Sequence, residues 1–505
     1  MGKSPAKVVL CVPYEYPPGL DLGLAYLGTS LRRAGIEVKI LELVPWLLPF
    51  DKFAEWLNRE RPPVLGFKVW TNAVRLARSY LKVIREVLPK SVVIIGGPHV
   101  TGARASALEH LEFADYAIAG EAERALPMLV SELLRGRPAR KSVLAKIPGL
   151  VLQGRDGNFH VNTLDFPEDL DSIGPPAWDL LDFEQYLEME QRAGKNGFST
   201  AELNWLHIQA VRGCPNHCTY CMNLNQKPRW HSTEFVARQV ELLKQKYGIR
   251  RFCFADDNLT ADRNYAMALF DKIKSLDMKW DASVGLDLRT LDTELVKSML
   301  ESGCTRISLG VESGSDRLLK RMARPHRARD MSKTIKAIRR AGAGDITALM
   351  MLGFPGETDR DVLDTISLLR QMDVDDIWVN LFTPYPGIPI TRKLALNHKL
   401  PNLDYRNLSH ESVSMGTGHI PGWRLELYYI AYYAAFYSRP SRLFKLIQKQ
   451  GVFEITMKSA VLAAHALVFG KGPTRDLFRS KRIAALRKGY NNNNKRRRNA
   501  VDFDD

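Results

Sequence analysis

The chain has 505 residues, 45% of them hydrophobic and 25% charged, with a formal net charge of +16. That length exceeds what one hydrophobic core sustains and calls for about three domains, while the composition excludes a fibrous or intrinsically disordered protein. Six cysteines exclude a disulfide scaffold, and the longest uncharged apolar runs, LYYIAYYAAFYS and SAVLAAHALVFG, are near twelve residues, too short for a bilayer core of about 30 Å.

The opening MGKSPAKVVLCV lacks the long apolar core of a signal peptide, and alanine at position six misses the myristoylation pattern. A cytoplasmic protein is expected. Residues 1–140 then alternate strand and helix. AKVVLCVP, IEVKILEL, PVLGFKVW, SVVIIGGP and DYAIAG read as strands; LGLAYLGTSLRRAG, VRLARSYLKVIREVLP, ARASALEHLE and ERALPMLVSELLRG read as helices. Apolar β-branched runs separated by helices predict a Rossmann-like parallel sheet covered on both faces, with ligands at the carboxyl ends of its strands. Residues 141–200 read as a connector with a hairpin, LVLQGRDGNFHVN, turning at Asp156-Gly157. A second series over 201–400 offers six strands, LHIQAV, RFCFAD, WDASVGL, RISLGVE, ITALMML and IWVNLF, which suit a (β/α)6 partial TIM barrel. Residues 401–505 turn helical and aromatic, then basic: from Lys471 onward eleven Lys/Arg face four Asp. That tail reads as a solvated segment or a contact for an anionic membrane surface, and no nucleic-acid module accompanies it.

Cys11, Cys253 and Cys304 sit singly among apolar residues and read as core thiols. Cys214, Cys218 and Cys221, in VRGCPNHCTYCMN, ask for chemistry. Structural zinc wants four ligands, and the nearest candidates for the fourth are His217 and His231. A redox pair accounts for Cys218 and Cys221 only. An iron–sulfur cluster held by three thiolates would leave one iron open to a ligand.

The CxxxCxxC spacing, with Tyr220 before the last cysteine, resembles the signature of the radical S-adenosylmethionine (SAM) superfamily, and it follows the first strand of the six-unit series. FADDNLT, RISLGVESGSDRLLKRM, MLGFPGET and FTPYPGIPI resemble the family's later strand ends, with Ile388 where the family usually has Thr. The resemblance implies a [4Fe-4S] cluster on Cys214, Cys218 and Cys221. It implies SAM contacts from Glu312, Ser313 and Gly353, with Tyr220 and Met222 near the adenine, and it places Asp256 and Asp257 at the barrel mouth near SAM or substrate. Arg212, beside the cluster, reads equally as a structural ion pair.

The front sheet has neither a GxGxxG after its first strand nor a P-loop lysine. PPGLDLGLAYLGTSLRRAG, GFKVWTNAVRLAR, VVIIGGPHVT and DYAIAGEAER resemble the cobalamin-binding domain that precedes many radical SAM barrels. Pro17, Gly23, Trp70, Thr71, Gly96, Gly97, Gly120 and Glu121 are the cobalamin contacts this implies. The glycines let a bulky nucleotide tail slide along the sheet edge. The DxHxxG motif that supplies an axial histidine in many cobalamin proteins is missing, the loop reading VPYEYPPG. Trp70 and Thr71 are then better placed than His99 to face the lower side of cobalt. The family implies methyl transfer to an unactivated carbon through methylcobalamin and a 5′-deoxyadenosyl radical. A cobalamin-dependent cyclase is the alternative, and a non-catalytic cobalamin or redox sensor is a remote one. The aromatic region 423–470 reads first as a helical cover packed on the barrel; with its basic tail it reads alternatively as a hydrophobic tunnel for a small-molecule or lipid substrate, isoprenoid included, with peripheral membrane contact. A flavodoxin or ferredoxin would suit the basic surface as electron donor.

Overall fold

The computed structural model describes residues 7–13, 20–44, 48–136, 138–153, 158–187, 206–222, 227–324, 326–400, 408, 410 and 412–450. Pro17, the Asp156-Gly157 turn and the basic tail lie outside the described residues.

The first sheet contains β1 (Val8–Pro13), β2 (Val38–Leu43), β3 (Val64–Lys68), β4 (Val92–Gly96), β5 (Tyr116–Ile118), β6 (Leu150–Gln153) and β7 (Phe159–Val161), in the order β2-β1-β3-β4-β5-β6-β7. The first five strands are parallel. In β1, Val8, Leu10 and Val12 enter one apolar layer while Val9 and Cys11 enter the other. This two-sided burial is why the strand is an unbroken apolar run. Helix α1 (Leu22–Arg33) starts where the Asp21 carboxylate accepts the Leu24 N–H at 2.9 Å. The hairpin expected in the connector adds β6 and β7, antiparallel, to the edge of this sheet. The helix expected over 103–112 is broken: Pro98 opens a helix earlier (Pro98–Ala103), a 3₁₀ turn follows, and a short helix spans Ala107–His110.

The second sheet is six parallel strands in chain order, from β8 (His207–Ile208) through β11 (Arg251–Phe254), β12 (Lys279–Leu286), β13 (Cys304–Glu312) and β14 (Ile346–Leu352) to β15 (Asp376–Leu381). β8 and β15 are its edges, as in a partial barrel. The first barrel strand, read as one run, is interrupted. The buried Asp256 carboxylate accepts the N–H groups of Ala210 and Val211, each at 2.7 Å. Two backbone donors are thus withdrawn from the ladder, and β9 (Val211–Arg212) turns away to pair antiparallel with β10 (Arg229–Trp230). Beyond the barrel, the helix Gly422–Tyr437 buries Leu425, Tyr432 and Phe436 and leaves Trp423 and Leu427 exposed.

The front domain and the barrel meet backbone to backbone. A Cβ on Gly102, in the Pro98–Ala103 helix, would stand 2.1 Å from Pro386 O in the loop after β15. Glycine is required there because two main chains touch.

Candidate functional site

Between the carboxyl ends of β1, β3, β4 and β5 and the barrel's first strands lies a cavity of about 870 Å³. Gly23, Trp70, Gly96, Gly97, Gly120 and Glu121 line it from the front sheet; Gln209, Arg212, Gly213, Met222 and Asp257 line it from the barrel. Of the barrel residues expected from sequence, Met222 and Asp257 line this space, whereas Cys214, Cys218, Cys221, Tyr220, Asp256, Glu312, Ser313 and Gly353 are not among its lining. Gly97, one of the lining residues, sits at φ 93°, and a Cβ there would come within 2.9 Å of Val69 N, so the turn into the next helix is closed to other residues.

Trp70 lines the cavity, but Thr71 is buried behind it and bonds His99, Oγ1 to Nδ1 at 3.3 Å. His99 Nε2 lies 3.0 Å from His110 Nδ1. With no exposed surface and burial depressing its pKa to about 3, His99 is a core imidazole. Lys68 reaches both oxygens of Asp21, at 2.9 and 2.8 Å, with its ammonium 5.3 Å above the Trp70 ring.

The cysteine loop follows β9. Asn258 Nδ2 donates toward Cys214 Sγ at 3.8 Å, and Arg324 Nη1 toward Cys218 Sγ at 3.6 Å. Among the described residues no three His, Cys, Asp or Glu side chains already converge as a metal cage would require. The thiols are gathered on one loop, and sites of this kind close when the ligands lose their protons to metal. The donor set suits a thiolate-held cluster: three sulfurs in eight residues, two of them beside N–H donors of the sort that tune such clusters.

Next to the loop, Glu312 ends β13 at φ 65°, a left-handed conformation costing a non-glycine residue about 1–3 kcal/mol. Burial raises its carboxyl pKa, and Arg324 lies 4.0 Å away. Side by side, the two can receive the ammonium and carboxylate of an amino acid. Arg324 also donates to Gly310 O at 2.6 Å. Nothing in RMARPH marks Arg324 as a neighbour of Glu312. Ser313 is buried, its hydroxyl 3.1 Å from Thr365 Oγ1 and accepting the Ser315 N–H. Gly353, at φ 89°, donates its N–H to Glu357 Oε2 at 2.5 Å. Tyr220 and Met222 pack with Phe354, Phe382 and Ile388. Of the aspartates, Asp257 lines the cavity and accepts the Gly213 N–H at 2.6 Å. Asp256 is buried behind it, with burial raising its pKa to about 8.

Two networks that no motif announced tie the halves together. Arg212 Nη1 lies 3.0 Å from Glu121 and 2.8 Å from Glu123, and Arg229 Nη2 lies 2.5 Å from Glu121. Glu121, expected to meet cofactor, thus spends its carboxylate on two barrel arginines. Tyr26 of α1 meets His231 Nε2 at 3.1 Å, and His231 Nδ1 meets Asp171 at 2.8 Å.

The pattern of the Radical SAM superfamily matches residues 208–369, and that of the B12 binding domain matches residues 6–130. An uncharacterized methyltransferase of Pyrococcus horikoshii is 28% identical over 435 residues, covering 85% of this chain and 90% of that protein. The anaerobic magnesium-protoporphyrin IX monomethyl ester cyclase of a Synechocystis species is 24% identical over 92% of this chain and 93% of its own. The solved radical SAM methyltransferase TsrM of Kitasatospora setae, with cobalamin and a [4Fe-4S] cluster bound, shares the fold at a TM-score of 0.63. It is 19% identical, and the match covers 79% of this chain and 80% of that one.

Proposed function

We propose that this chain, which belongs to the cobalamin-dependent radical SAM family, is a methyltransferase acting on an unactivated carbon. The observation that carries this reading is the single cavity walled by both the glycine-rich strand ends and the barrel's cysteine-bearing side. Bound there, the cluster and SAM supply a carbon-centred radical and cobalamin supplies a transferable methyl group.

The chain's own residues bind, orient and exclude water. Cys214, Cys218 and Cys221 would hold the cluster through their thiolates. Glu312 and Arg324 fix the amino-acid end of SAM, and Gly353 admits its nucleoside. Gly96, Gly97 and Gly120 would give passage to the cobalamin tail, and Trp70 would wall the corrin's part of the cavity. The bridge from Arg212 and Arg229 to Glu121 and Glu123 seals the wall between the halves. No protein acid or base is required, because hydrogen abstraction and methyl capture move no proton.

The substrate we favour is a lipid of isoprenoid type, met at the cytoplasmic face of a membrane. The aliphatic and aromatic cavity lining and the exposed Trp423 and Leu427 support it. Among the described residues no helix is long and apolar enough to cross a membrane. A small acidic flavodoxin or ferredoxin is the proposed electron donor, on the strength of the +16 charge.

Anaerobic protein reconstituted with iron, sulfide and cobalamin, then given SAM and dithionite, tests the reading. Formation of both 5′-deoxyadenosine and S-adenosylhomocysteine is expected. Deoxyadenosine alone would transfer the chain to the cyclase reading. Neither product, from protein with intact cluster, would make it a sensor.

A further inference from the structure

Two buried oxygens beside the cysteine loop have no partner among the described residues. Asp256 spends Oδ1 on the Ala210 and Val211 N–H groups, each at 2.7 Å, and its Oδ2 bonds nothing. Asn258, two residues on, turns Nδ2 toward Cys214 Sγ at 3.8 Å, and its Oδ1 likewise bonds nothing. The two residues are only 3% and 5% exposed. Both line a second, small cavity of about 10 Å³, whose other walls are apolar, Phe254, Leu259 and Leu286 among them.

A space of about 10–15 Å³ takes one water when at least two polar groups receive it. A water satisfies both oxygens here. It donates to Asn258 Oδ1, and it donates to Asp256 Oδ2 or accepts from it, as that carboxyl is ionised or protonated. Left unpaired, each buried oxygen would keep its full desolvation penalty. The same pairing fixes the Asn258 amide. A thiolate accepts and does not donate, so the amide must show it Nδ2 and turn Oδ1 away. With Oδ1 tied through water to Asp256, itself held by two backbone donors, the amide is anchored at its far end and cannot swing off the sulfur. A donor on a cluster thiolate stabilises the reduced cluster, which carries the extra electron, more than the oxidised one, and so raises its potential.

We propose that one water bridges Asp256 Oδ2 to Asn258 Oδ1, and that this bridge holds the Asn258 N–H on Cys214 to set the potential of the cluster. Asn258 and Asp256 are then positioning residues that act through the Cys214 sulfur. The inference rests on Cys214 being a cluster ligand.

Redox titration of the reconstituted protein with dithionite, followed by electron paramagnetic resonance at matched iron and sulfide content, tests this. Asn258→Leu, which removes the donor, should shift the one-electron reduction equilibrium about tenfold toward the oxidised cluster, a fall of about 59 mV. Asp256→Asn keeps an acceptor for the two backbone N–H groups and a partner for the water, and should hold the wild-type potential. An unchanged potential in Asn258→Leu would overturn the inference. So would a high-resolution crystal structure of the loaded wild-type protein with no water between the two oxygens, and that structure decides the matter even should the Leu variant take up no iron. Wild-type protein that takes up no iron and sulfide would overturn the cluster reading itself, an outcome distinct from a loaded cluster whose potential ignores Asn258.

Discussion

Gly102→Ala probes whether the cavity depends on how closely the front domain and the barrel dock. The added carbon would stand 2.1 Å from Pro386 O, whereas ordinary contact begins at 3.4 Å, so the main chains must part by about 1.3 Å. The obstacle is backbone, and it cannot rotate away. The same carbon would lie 3.0 Å from Met222 Cε, a cavity-lining side chain next to Cys221, so displacement reaches the site directly. Overpacking of this kind costs about 1–3 kcal/mol. If only the closely docked form holds cobalamin, that cost weakens binding by about 5- to 150-fold, since about 1.4 kcal/mol is a factor of ten. The assay is cobalamin affinity by absorbance titration, with Gly344→Ala as control: Gly344 has nothing within 4 Å of its added carbon, and a change under about 0.5 kcal/mol is expected there. Equal cobalamin affinity in Gly102→Ala and wild type would refute the claim that backbone contact at Pro386 sets the cavity.

Two further outcomes follow from buried charges. Burial raises the pKa of Glu357 to about 8, while Gly353 N–H holds one of its oxygens. The folded state therefore keeps a proton that the unfolded chain has lost from about pH 4.5 upward. Its contribution is fully present below that pH and is lost as pH rises through 8. Glu357→Gln, which keeps an acceptor for Gly353, should gain stability relative to wild type between pH 5.5 and about pH 8.5 in thermal unfolding; a constant difference would sink the assignment. Arg324→Met should weaken SAM binding by about tenfold or more with iron and sulfide content unchanged, and Arg324→Lys should restore part of it. Unaltered SAM affinity in the Met variant would remove Arg324 from the site.

Much of the architecture was legible because its signals are local. Unbroken β-branched runs specify strands buried on both faces, and glycines mark the ends where ligands approach. The three cysteines announce themselves by spacing within one loop. The hairpin over 150–162 was also readable as a hairpin. Its attachment to the front sheet was not, because any exposed sheet edge presents the same backbone donors and acceptors to an arriving strand.

What the sequence determined by itself was the order of most strands, the two glycine-rich strand-end sets and the thiol cluster, since each depends on residues near one another in the chain; the helix Phe50–Glu60 between the second and third strands went unread. What only the tertiary structure decided was which charges cancel. Arg212 and Glu121 lie 91 residues apart, Arg229 and Glu121 lie 108, and Tyr26 and His231 lie 205. An arginine in a sequence is an open cation, and a glutamate beside a glycine is an open ligand. Whether they serve a substrate or each other depends on the two halves closing to hydrogen-bond distance, because a charge-assisted hydrogen bond forms only at that range.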